Sequence, residues 1–199
     1  FVGLERFQTD GMSAMIHNDE KDRYRNNSLV ANYGHQFSDK IKFESNIRIA
    51  ETYNQYDKEI DTATAAHSEE VDAVQSSSNI VLVYKPHQQF TNKFTIANTH
   101  VKRVYAPTPN SGNVLKDNYK GYRYAFMYTG NYNFNLDNSI VFGLEREDDQ
   151  IGYNKNSTGM TYKDAYITSS YFDYQSRITK NIYATLGSRF DEHSLSGNE

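Results

Sequence analysis

The sequence predicts an all-β chain, an antiparallel up-and-down sheet making up about nine strands of a larger transmembrane barrel. Three observations carry this reading. Period-two alternation runs through most of the chain, while helical periodicity is nearly absent. Short and long polar connections strictly alternate. Aromatic residues collect near strand ends: the chain holds 17 Tyr and 11 Phe yet is only 37% apolar, below the roughly 45–50% of soluble domains.

The strands are read in order as 1–7, 28–37, 41–53, 78–86, 91–105, 121–134, 138–148, 164–177 and 181–191. Ile41, Phe43, Ile47 and Ile49 interleave with Lys42, Glu44, Asn46 and Arg48. Leu29, Ala31, Tyr33 and Phe37 alternate less cleanly with Val30, Asn32, Gly34 and Gln36. In the stretch 121–134, Tyr122, Tyr124, Phe126, Tyr128, Tyr132 and Phe134 take the even positions, with Gly130 as the gap. Ile140, Phe142 and Leu144 continue the pattern after a tight Asn135-Leu136-Asp137 turn, and Ile182, Ala184, Leu186 and Phe190 close it.

The connections separate a membrane barrel from a soluble sheet. Residues 38–40, 86–90, 135–137 and 178–180 are short turns. The stretches 8–27, 54–77, 106–120 and 149–163 are long and polar. In an up-and-down sheet the short turns then lie on one rim and the long loops on the other, as in outer-membrane barrels. A strand of about 14 residues spans roughly 46 Å at about 3.3 Å per residue. Tilted about 45°, it rises roughly 32 Å, enough to cross a hydrocarbon core of about 30 Å. Barrel strands need apolar residues on one face only, which explains the low apolar content.

This pattern assigns faces. Tyr122, Tyr124, Phe126, Tyr128, Ile140, Phe142 and Leu144 are expected to face lipid. Arg48, Arg123, Glu145, Arg177 and Arg189 alternate with the apolar set and are expected to face the lumen, as wall residues in water, as partners of a plug or along a substrate path. Facing lipid at the midplane, an arginine would cost about 2–4 kcal/mol. Tyr53, Tyr56, Tyr105, Tyr119, Tyr122 and Tyr153 near one rim, and Phe37, Tyr84, Phe90 and Phe134 near the other, are candidates for two interfacial girdles. Tyr105, Tyr119 and Tyr153 are equally candidates for stacking on a planar ligand.

Composition narrows the function. With no cysteine, the chain has no disulfide scaffold, thiolate metal site or cysteine nucleophile. A net charge of −4 gives no reason to expect nucleic acid. Catalytic motifs are missing, and the six histidines lack ligand spacing, so an enzyme is not expected. Outer-membrane phospholipase and protease barrels are the enzymatic alternative. The chain opens within a strand, FVGLERF, and the expectation is an excerpt of a longer protein.

Three short runs, in this order, resemble TonB-dependent outer-membrane receptors. They are Asp22-Arg23-Tyr24-Arg25-Asn26-Asn27-Ser28-Leu29 after an acidic loop, Tyr56-Asp57 after a long strand, and Arg189-Phe190-Asp191-Glu192-His193-Ser194 at the last strand. The resemblance is closest to the cobalamin-receptor branch and extends over most of the chain as a succession of strands and loops. It implies that residues 1–199 are part of a single receptor barrel domain of 22 strands in the outer membrane of a Gram-negative bacterium. The implied partners are outer-membrane lipid, the receptor's own plug domain, the TonB energy-coupling protein, and a corrinoid, siderophore or haem ligand. It also implies Ca²⁺ in the long loops through Glu20, Asp22, Asp57 and Asp72, oxygen ligands of the kind calcium prefers. The first loop departs from the family pattern at Thr9-Asp10-Gly11-Met12-Ser13, which lacks an aspartate after the glycine. A passive porin-like or adhesion barrel and a soluble all-β binding module are the alternative readings.

Overall fold

The computed structural model describes residues 1–12, 21–57, 68–107, 116–155 and 159–194. Nine strands are present: β1 (Val2–Thr9), β2 (Tyr24–Ser38), β3 (Ile41–Asp57), β4 (Ser68–His87), β5 (Phe90–Pro107), β6 (Asp117–Asn133), β7 (Asn138–Asn154), β8 (Thr161–Thr179) and β9 (Ile182–His193). They form one sheet in chain order, with every neighbouring pair antiparallel. Among the described residues there is no helix.

All nine expected strands form, and the alternation of short and long connections holds. The strand ends differ. β4 begins at Ser68 rather than at 78, β6 at Asp117 rather than 121, and β7 runs to Asn154 rather than 148. The long connections shrink to 10–23, 58–67, 108–116 and 155–160. The cause is visible in the start of β4, Ser68-Glu69-Glu70-Val71-Asp72-Ala73-Val74-Gln75-Ser76-Ser77. Both faces there are largely polar or small, so period-two contrast disappears even though the backbone ladder continues.

The short-turn rim is held by local chemistry. The Asn135 side-chain oxygen accepts from the Asp137 backbone N–H at 2.8 Å and from the Asn138 side-chain amide at 3.0 Å, closing the β6–β7 turn. At the other three short turns the register shifts, between Gln36 and Ser38, Tyr84 and His87, and Arg177 and Thr179. Such shifts let a strand turn sharply at a sheet rim.

Directly paired residues share a face, so the register sorts every side chain. One face, here called the apolar face, gathers Ile47 and Ile49 of β3, Ile80 and Leu82 of β4, Phe94 and Ile96 of β5, and Phe126 and Tyr128 of β6. It continues through Phe142 and Leu144 of β7, Phe172 of β8 and Leu186 of β9. The opposite, polar face carries Glu44, Asn46 and Arg48 of β3, Thr95 and Thr99 of β5, Arg123 of β6 and Glu145 of β7.

The sheet has one layer, so it has no interior. Val81 is the single buried apolar side chain among the described residues, while Leu144 and Ile96 are each 58% exposed and Leu186 72%. One buried amide within the apolar face is satisfied laterally. Asn92, 7% exposed, donates to the Tyr84 carbonyl at 3.3 Å and accepts from the Tyr128 hydroxyl at 2.9 Å. The gap at Gly130 is filled from the neighbouring strand: a Cβ there would collide with the ring of Phe142, its direct partner.

Candidate functional site

The apolar face is banded along the strand axis. In β7, Ile140, Phe142 and Leu144 stand toward the short-turn rim, followed on the same face by Arg146, Asp148 and Gln150. In β3, Ile41 to Ile49 give way to Glu51, Tyr53 and Gln55. A 17-residue strand is roughly 58 Å long at about 3.4 Å per residue. An apolar band about 25 Å tall covers only its lower part. The long-connection ends are polar on both faces.

The seven residues expected to face lipid lie together on the apolar face, in directly paired or alternate positions of β6 and β7. Their rings pack across strands: Phe94 on Tyr128 at 5.0 Å between centroids, and Tyr128 on Phe142 at 6.0 Å. The five residues expected to face the lumen lie together on the polar face. They do not form one cluster. Arg48 is exposed between Val30 and Ser77. Arg177 stands at the short-turn rim, paired with Asp137.

Arg123, Glu145 and Arg189 organise the centre of the polar face. Arg123 grips Asp149 through two parallel hydrogen bonds, Nε to Oδ1 at 2.7 Å and Nη2 to Oδ2 at 2.8 Å, and reaches Glu147 at 3.3 Å. This is the fork geometry that arginine makes with a carboxylate. Arg189 crosses β8 to meet Glu145 at 2.8 Å, and also donates to Asp191 at 2.8 Å and to Ser169 at 2.9 Å. Beneath it, Tyr171 lies flat across β7 because Gly143 has no side chain to obstruct the ring. The Tyr171 hydroxyl meets Thr129 Oγ1 of β6 at 2.8 Å. An open cleft of about 580 Å³ lies between Glu145, Tyr171, Asp173 and Arg189.

Asp149, Glu147, Asp191, Ser169 and Tyr171 were not singled out by the sequence. Part of that set was legible: Glu145, Glu147 and Asp149 alternate in the same register, and Asp191 stands two residues after Arg189. The arrangement is a lattice of exposed ion pairs in which two arginines face four carboxylates.

The girdle expectation at the long-connection rim needs correction. Tyr53 and Tyr122 are on the apolar face, but Tyr56, Tyr105, Tyr119 and Tyr153 are on the polar face. Tyrosine position along a strand fixes its height, whereas its face depends on parity and register: Tyr105, Tyr119 and Tyr153 have the odd parity of Arg123, and Tyr56 has the even parity of Arg48 in β3. Tyr105 and Tyr119 meet edge to face at 5.6 Å, and the Tyr56 hydroxyl donates to Glu69 at 2.8 Å.

Of the four residues expected to hold calcium, Glu20 and the side chain of Asp57 lie outside the described residues. Asp22 precedes β2, and Asp72 is exposed on β4 opposite Tyr53. Among the described residues, no three acidic or histidine side chains converge as a metal site.

No family model matches the chain, and no curated protein does. Solved structures do match. The outer membrane transporter YddB from Escherichia coli superposes with a TM-score of 0.76 at 11% identity, over 97% of this chain and 31% of that one. The RagAB peptide importer in its closed-closed state gives a TM-score of 0.63 at 11% identity, over 87% of this chain and 28% of that one. The chain thus spans about a third of the length of the structures it resembles. These likenesses show the fold: nine antiparallel up-and-down strands like part of an outer-membrane barrel wall.

Proposed function

We propose that this chain is part of the wall of a transport barrel in the outer membrane of a Gram-negative bacterium, with its apolar face on lipid and its polar face on the lumen. The observation that carries the reading is a one-layer sheet of nine strands with most of its large aliphatic side chains exposed on one face, in a band that crosses the whole sheet. In water such a face aggregates or needs a second layer. In a bilayer it is already solvated, and the backbone groups are satisfied between strands.

The finer reading extends the sequence resemblance. The barrel is an active-transport receptor rather than an enzyme, with a plug and a TonB partner, and its long loops capture a large scarce nutrient: a corrinoid, an iron siderophore or haem. The loop carboxylates Glu20, Asp22, Asp57 and Asp72 hold Ca²⁺ and order those loops. Both structural neighbours are described as transporters or importers, which favours this over an adhesion barrel.

The absence of cysteine makes the face assignment directly testable. In otherwise cysteine-free full-length protein in native outer membranes, Met127→Cys and Ala125→Cys react with a water-soluble maleimide, while Phe126→Cys and Leu144→Cys stay protected. Labelling of the even positions and protection of the odd ones would sink the proposal.

A further inference from the structure

Six aromatic residues share the polar face at its long-connection end. They are Phe7 of β1, Tyr24 of β2, Tyr56 of β3, Tyr105 of β5, Tyr119 of β6 and Tyr153 of β7. Strand pairing places them at nearly the same height. One register line runs from Thr9 through Tyr24, Asn54 and Val71 to Tyr105. The next line down runs from Phe7 through Asn26, Thr52, Ala73 and Arg103 to Tyr119 and Tyr153. Tyr56 stands one step above the first. Between β1 and β7 the row extends roughly 29 Å at about 4.8 Å per strand.

Three of the six rings are exposed and the other three are half-buried. Phe7 is 54% exposed, Tyr119 37% and Tyr153 38%. Small neighbours leave them standing clear, Ala73 and Gly121 among them. Phe7 and Tyr24 meet at 6.0 Å, and Tyr105 meets Tyr119 edge to face. Charge in the zone is nearly balanced, with no surplus of cations: Glu5, Glu69 and Asp117 stand on the same face as Arg103 and Lys163. Lower on this face, by contrast, the charges are paired in two groups, Arg123 with Glu147 and Asp149, and Arg189 with Glu145.

We infer that this aromatic row is a contact surface for a neutral oligosaccharide. Sugar rings present flat C–H faces that pack on the apolar faces of aromatic side chains, and tyrosine adds a hydroxyl at its polar tip. Sugar hydroxyls then find donors and acceptors in Asn26, Asn54 and Glu69. A charged ligand would call for a surplus of opposite charge, which the zone lacks. An elongated ligand matches a row crossing seven strands better than a compact one does.

The inference rests on the polar face being the lumen. Its test uses full-length protein in detergent, titrated calorimetrically with maltohexaose, cellohexaose, xylohexaose and chitohexaose. At least one of these binds. Tyr119→Ala and Tyr153→Ala weaken that binding about tenfold or more, Tyr119→Phe weakens it less, and Tyr124→Ala on the apolar face leaves it unchanged. The affinity stays constant between about 0.05 and about 0.5 M salt, as expected for a neutral ligand. Binding of none of the four probes, or binding indifferent to the alanine substitutions, overturns the inference. So does tyrosine-dependent binding of haem or cyanocobalamin alone. Cysteine labelling separates the two failures. Correct labelling without sugar binding removes only the surface, while inverted labelling removes the wall itself.

Discussion

Leu144 tests the face assignment energetically. It is six positions beyond Asn138, where β7 leaves the short turn. At about 3.4 Å per residue and a tilt of about 40°, it rises roughly 15 Å above that rim, near the middle of an apolar band about 25 Å tall. Its side chain is 58% exposed, so substitution to Arg changes its environment without breaking a packed core. Leu144→Arg should therefore cost about 2–4 kcal/mol, the range for an arginine at the bilayer midplane. The control is Met127→Arg, on the opposite face of β6 and paired directly with Glu145. With water on that face and a carboxylate opposite, its cost should stay within about 0.5 kcal/mol, as for an ordinary surface substitution. The measurement is urea-dependent unfolding of the full-length barrel in lipid vesicles, followed by the gel-mobility shift of folded barrels. A loss below about 1 kcal/mol for Leu144→Arg, or an equal loss for both variants, would refute the reasoning.

Three other outcomes are expected. A double-mutant cycle on Arg123→Ala and Asp149→Ala should give a coupling of about 0.2–1 kcal/mol, the value for a solvated pair; a coupling of several kcal/mol would mean that this face is dry. Gly143→Val should destabilise by about 1–3 kcal/mol by driving the Tyr171 ring off β7, and Tyr171→Ala should relieve part of that loss in the same unfolding assay. If calcium orders the long loops, chelation should weaken cyanocobalamin binding by the full-length protein, and Asp22→Asn with Asp57→Asn should abolish the calcium dependence; binding indifferent to calcium would end that proposal.

The legible part of this fold was the part with one apolar face. Between Ile41 and Ile49 every second residue but Ser45 is apolar, and between Ile140 and Leu144 every second residue is, so strand, face and approximate height follow from a period of two. Contrast fails where both faces are polar. The first ten residues of β4, from Ser68 to Ser77, looked like loop because Glu and Ser stand on both parities. The strand there is carried by pairing to β3 and β5 along its whole length, which no local pattern records. The charged set was partly legible as well. Arg123 and Arg189 were found by parity, but their partners come from β7, β8 and β9, and only the register brings these together.

Alternation and the one-sided distribution of loops let the sequence by itself determine an all-β chain of nine up-and-down strands with one apolar and one polar face. The physical reason is that these features are local: side chains alternate along any strand, and a hairpin returns to its neighbour. Tertiary structure alone decided how far the strands continue and which tyrosines share a face. Tyr56, Tyr105, Tyr119 and Tyr153 come from four strands, and whether they stand on the apolar or the polar face depends on the relative register of those strands. That register is fixed by backbone pairing between residues distant in sequence, and it turned a scatter of rim aromatics into one surface.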